Sequence, residues 1–96
     1  MEKKYYYLKL NSPRATFPQD MSPGEAKIMA EHSMVWKKLL GEKTCLIYGP
    51  VLDPKGFYGI GVVCVENEEQ VNSLIENDPA NSLGKYEFYQ MKAIIS

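Results

Sequence analysis

A histidine and an aspartate stand where the surrounding pattern calls for apolar side chains. His32 falls four residues after Ile28, three after Met29 and four before Trp36. That spacing puts all four on one face of a helix. A histidine on an inward stripe needs a hydrogen-bond partner, because leaving it unsatisfied costs about 1–3 kcal/mol. Asp78 stands seven, four and three residues after Val71, Leu74 and Ile75. It therefore extends the inner stripe of a second helix, at the C-terminal end, where the helix dipole opposes a negative charge. Two helices on one face of a sheet bring these two misfits within reach of each other. A carboxylate bonded to the imidazole fixes its tautomer and leaves the other ring nitrogen free as a base or acid. This is a base with an orienting partner, and no nucleophile is evident beside it. The bland alternative is a satisfied core histidine and an aspartate that caps the turn before Pro79; periodicity alone does not decide between the two.

Other residues could complete such a site. Arg14 lies in the loop after the first strand, and a planar guanidinium suits a substrate carboxylate; the alternative is a surface arginine. Gly49 and Pro50 end the second strand, where a glycine lets a ligand approach the backbone. Ser33 neighbours His32 but points roughly 100° away around the helix, a rim position. Tyr48 and Tyr58 are pocket candidates, with core or interface packing as the alternative.

The elements that must position these residues follow from pattern and punctuation. Tyr5–Leu10 alternates as a strand, and Pro13 and Pro18 keep residues 11–20 a loop. Ser22, Pro23 and Glu25 form a capping box with proline in the first helical position. The helix is expected to run to about Leu40, with Gly41 as its stop. Thr44–Tyr48 reads as a second strand ended by Gly49-Pro50, residues 53–56 (DPKG) as a tight turn, and Phe57–Val65 as the returning strand. Gly59 and Gly61 leave room on one face of that strand for something bulky. Asn67 and Gln70 open the second helix, Pro79 closes it, and Tyr86–Ile95 is the last strand. The order β-α-β-β-α-β folds by two right-handed crossovers into a four-stranded antiparallel sheet with both helices on one face, an α+β ferredoxin-like architecture. Tyr5, Tyr7, Val63 and Val65 are read as alternating onto the bare face. A second copy is expected to cover that face in a two-fold dimer.

The totals narrow the function classes. Ninety-six residues make one domain, 1–96. A net charge of −1 with scattered lysines argues against a nucleic-acid partner. The first residues hold no apolar targeting core, and no apolar run approaches the ~18 residues of a membrane span. No membrane association and a cytoplasmic location are therefore expected. One histidine and two cysteines, with no C-x-x-C, give no metal-ligand spacing, and no cofactor is expected. Cys45 and Cys64 would face each other if the hairpin turned symmetrically about Pro54-Lys55, although reduced thiols suit a cytoplasmic chain better.

Taken in order, several segments resemble those of the YCII-related (YciI-like) family over nearly the whole chain. They are residues 12–14 (SPR), the helix from Ser22 through His32 to Trp36, residues 48–56 (YGPVLDPKG) and residues 76–79 (ENDP). The resemblance implies a ferredoxin-like, dimeric α-β barrel with an active site on a histidine and an aspartate, at positions matching His32 and Asp78. It also implies kinship with a dehydrochlorinase of a chlorinated muconolactone. The expectation is a cofactor-free enzyme of isomerase or lyase type, acting on a small organic acid or lactone. The alternative is a metabolite-binding or structural dimerisation domain.

Overall fold

The computed structural model describes residues 3–95. Its elements are β1 (Lys4–Leu10), α1 (Pro23–Gly41), β2 (Cys45–Val51), β3 (Tyr58–Val65), α2 (Glu68–Glu76), a 3₁₀ turn (Pro79–Ser82) and β4 (Tyr86–Met91). The sheet order is β2-β3-β1-β4, and every pairing is antiparallel. This is the expected four-stranded ferredoxin-like sheet. No helix among the described residues is long and apolar enough to cross a membrane.

Helix α1 begins as the capping box requires. The Ser22 hydroxyl accepts from the Glu25 backbone N–H at 3.2 Å, and the Glu25 carboxylate accepts from the Ser22 N–H at 2.9 Å. Its end differs from expectation. Gly41 stays helical, and Lys43 takes the left-handed conformation at φ 66°. The Lys43 and Thr44 N–H groups return to the Leu40 and Leu39 carbonyls at 3.1 and 3.0 Å. That is a Schellman closure made without glycine.

The core lies between the helices and one sheet face. Tyr6 and Leu8 of β1, Val63 and Val65 of β3, Cys45 of β2, Trp36 of α1 and Val71 of α2 are all buried in one cluster. Gly61 lies under the indole of Trp36, where a Cβ would stand 2.5 Å from Cζ3 and 2.7 Å from Cη2. The bulky group for which Gly61 leaves room is therefore this tryptophan, whereas Gly59 lies against Leu10.

The register corrects the assignment of the sheet faces. Tyr6 pairs with Val63, so Val63 and Val65 face the helices, while Tyr5 and Tyr7 on the bare face stand opposite Cys64 and Val62. Residues 60–65 are apolar at nearly every position, so period-2 reading of β3 alone could not choose its inner face. β2 continues through Gly49-Pro50 to Val51, because an edge strand tolerates a missing N–H. β4 stops at Met91, opposite Tyr5, close to where its partner β1 begins. A bulge between Cys45 and Ile47 shifts the hairpin register, so Cys45 faces Val63 rather than Cys64. Both thiols are free, and burial pushes that of Cys45 up.

Candidate functional site: a buried carboxylate behind a histidine

Asp78 does not continue α2. The helix ends at Glu76, Asn77 caps it, and Asp78 has extended backbone (φ −86°, ψ 121°) as N-cap of the 3₁₀ turn. Asp78 therefore lies just past the C-terminal cap of α2 rather than in the helix's last turn. Pro79, which disfavours helical geometry in the preceding residue, sets this break. The freed side chain turns inward instead of following a helical stripe, and Asp78 is only 3% exposed.

Four donors converge on that buried carboxylate. The His32 ring meets it through Nδ1, at 2.9 Å from Oδ1 and 2.8 Å from Oδ2. The Trp36 indole N–H donates to Oδ2 at 2.9 Å, and the Tyr86 hydroxyl donates to the same oxygen. The Ala80 backbone N–H donates to Oδ1 at 3.0 Å. Burial alone would push the carboxyl up. The bonds from His32, Tyr86, Trp36 and Ala80 outweigh it and hold Asp78 below the ordinary carboxylate range. Burial, together with the bond to Asp78, pushes the Tyr86 hydroxyl far above the usual tyrosine range.

An ionised carboxylate only accepts, so the neutral imidazole must carry its proton on Nδ1. The ring's hydrogen bonds all leave from Nδ1, and no buried side-chain nitrogen or oxygen among the described residues lacks a partner. Nε2 is thus the accessible nitrogen. The His32 ring lines a cavity of about 250 Å³ between α1, the Gly-rich end of the β2–β3 hairpin and the loop after β1. Met29, His32, Ser33 and Trp36 supply the α1 wall, at the i, i+3, i+4, i+7 spacing of one helix face.

Of the residues singled out by sequence, the structure brings His32 and Asp78 into direct contact and places Ser33, Gly49, Pro50, Tyr48 and Tyr58 on the cavity wall. Arg14 does not line it. Its guanidinium grips Glu25 through Nη1 and Nη2 at 2.8 and 2.7 Å, and Asp20 through Nε at 3.0 Å. The bond from Arg14 pulls the Glu25 carboxyl down to about 2. Arg14 thus pins the loop to the start of α1, and with it Phe17 and Pro18, which do line the cavity. Sequence reading missed Trp36 and Tyr86 as partners of Asp78. The signal was present for Trp36: a buried indole N–H needs an acceptor, and it stands one helical turn from His32. Tyr86 had no such signal, because it reaches Asp78 only once β4 has paired with β1. No group of three or more His, Cys, Asp or Glu placed to hold a metal ion occurs among the described residues.

The geometry can be set beside known proteins. No curated protein matches the chain in sequence. Among solved structures, the chain is similar to 5-chloro-2-hydroxyhydroquinone dehydrochlorinase (TftG) from Burkholderia phenoliruptrix AC1100, determined with 2,5-dihydroxybenzoquinone. The identity is 17%, the coverage 91% of this chain and 93% of that one, and the TM-score 0.58. The protein YJCS, from a structural-genomics determination, matches at 16% identity over 97% of this chain and all of its own, with a TM-score of 0.55. At such identities the likeness is one of fold. The sequence model of the YCII-related domain matches residues 5–95, and the chain belongs to the YCII-related family.

Proposed function

We propose that the chain is a small cofactor-independent enzyme. His32 moves a proton on a small organic acid or lactone, in isomerase- or lyase-type chemistry, and Asp78 orients the ring. The observation that carries this reading is the asymmetry of the imidazole: Nδ1 is held by a buried, ionised carboxylate, Nε2 is left without a bond among the described residues, and the ring lines a ligand-sized cavity. A base so placed contributes about 10²–10⁴-fold to a proton-transfer step. The dehydrochlorinase of similar fold supports the reading, since loss of hydrogen chloride requires removal of a proton. A homodimer through the bare sheet face is part of the proposal. Tyr89, Ile47 and Met91 are exposed on that face, and a second copy would remove them from water.

The test is hydrogen exchange. Small lactones, enols and unsaturated acids are incubated with the protein in deuterated water, and deuterium uptake at carbon is followed by NMR. A compound whose uptake is accelerated by the wild type and not by a folded His32→Gln variant supports the enzyme. Equal acceleration by both sinks it. A ligand that stabilises the wild type without exchange or turnover favours the metabolite-binding alternative.

A further inference from the structure

The cavity wall contains no Lys, Arg, Asp or Glu side chain among its described residues; His32 and tyrosines are its only titratable groups. Two cations of flanking elements are already committed. Arg14 is held by Glu25 and Asp20, and the Lys9 ammonium stands 4.4 Å over the Tyr58 ring from the bare sheet face. Aromatic residues form much of the lining: Phe17, Trp36, Tyr48, Phe57 and Tyr86. Trp36 and Tyr48 lie with centroids 6.0 Å apart. A volume of about 250 Å³ exceeds the roughly 150 Å³ that accommodates benzene in an apolar protein cavity, so one substituted six-membered ring fits.

Charge decides what kind of ring. The only cation the site can form is the protonated imidazole, and Asp78 at 2.8 Å already balances it. With the imidazole neutral, the pair carries a net negative charge. An ionised carboxylate entering this wall would be desolvated beside Asp78 without a counter-charge of its own. A neutral ring with an acidic hydroxyl meets no such cost. Its O–H bond breaks as Nε2 takes the proton, and the electron pair stays on oxygen and spreads into the ring. The new anion then stands beside the imidazolium formed in the same step.

We propose that the cavity over His32 takes a single uncharged ring bearing an acidic hydroxyl, of the phenol or enol class, and turns away carboxylates of the same shape. This rests on the reading of His32 as proton acceptor and narrows its substrate class away from organic acids.

The test uses a matched pair, 4-hydroxybenzamide and 4-hydroxybenzoate, which differ in charge and hardly in shape. Affinities are measured by titration while the single histidine's ring signals are followed by NMR. The amide is expected to bind at least about tenfold more tightly, a difference of roughly 1.4 kcal/mol, to shift the His32 signals, and to bind more weakly in His32→Gln, where its preference over the benzoate, set by Asp78 and the uncharged wall, persists. If the benzoate binds equally or better and shifts those signals, the substrate class is wrong and the proton-acceptor reading stands. If neither compound binds, or if binding leaves the His32 signals unmoved, the substrate class is overturned. In that case the tautomer of His32, measured without ligand, judges the proton-acceptor reading separately.

Discussion

Replacing Asp78 by asparagine keeps the volume of the side chain and removes its ability to accept everywhere. One oxygen can remain for the Ala80 N–H at 3.0 Å. The amide nitrogen then occupies the place of Oδ2, facing the Trp36 N–H at 2.9 Å and the Tyr86 hydroxyl. The hydroxyl can rotate and accept, but the indole N–H cannot. An orphaned buried donor costs about 1–3 kcal/mol, and each bond that loses its charged partner weakens from the 1.5–3 kcal/mol class to about 1. Together these give a loss of about 3 kcal/mol. For a domain of this size that lowers Tm by roughly 10–25 °C. Trp36→Phe removes the donor that asparagine would strand, so the two changes should combine less than additively, by about 1–2 kcal/mol. The assay is thermal and urea unfolding of the four proteins of the cycle, followed by circular dichroism at one fixed protein concentration. Additivity within about 0.5 kcal/mol would mean that the two groups do not interact. So would a cost of Asp78→Asn below about 1 kcal/mol, and the converging-donor account would be refuted.

Other consequences are equally open to measurement. Gly61→Ala drives a methyl to within 2.5 Å of the indole of Trp36. It should cost about 1–3 kcal/mol and shift the emission of the lone tryptophan; an unchanged Tm and spectrum would show that the indole is free to move. The Asp78 carboxyl is held low in the folded chain, as is that of Glu25. Their stabilisation is therefore complete above the unfolded carboxylate range near 4 and lost as the pH falls further. Unfolding midpoints measured against pH should drop below about 4, and the drop should be shallower in Asp78→Asn. Tyr86 is held high, so its stabilisation is present below about 10 and lost as the pH rises. Phenolate absorbance should show Tyr86 ionising only with unfolding, and Tyr86→Phe should remove amplitude from that last step alone.

What the sequence discloses of this fold and site follows a physical division. Local signals carry well: Ser22, Pro23 and Glu25 set the start of α1, Asn67 sets that of α2, and Tyr6, Leu8 and Leu10 mark the inner face of β1. Signals that depend on pairing do not. The inner face of β3 is fixed by its register with β1, the bulge after Cys45 by packing, and the extent of β4 by the length of its neighbour. The site shows the same split. Helical spacing places His32 on the inner face of α1, but Asp78 reaches it from outside any helix, through the turn that Pro79 imposes. A helical projection brought attention to the right residue by a wrong route. Arg14 shows the opposite error: its chemistry suits an anion, and the anions it binds are Asp20 and Glu25 of its own chain.

The central claim is that Asp78 holds the His32 proton on Nδ1 and leaves Nε2 bare toward the cavity. The most direct measurement is the pair of 15N shifts of the single histidine, recorded at a pH where the ring is neutral, in the wild type and in Asp78→Asn. The account predicts one dominant tautomer in the wild type, protonated at Nδ1 and unprotonated at Nε2, and a shift away from that tautomer in the variant. A proton on Nε2 in the wild type, or identical spectra in the two proteins, would contradict it.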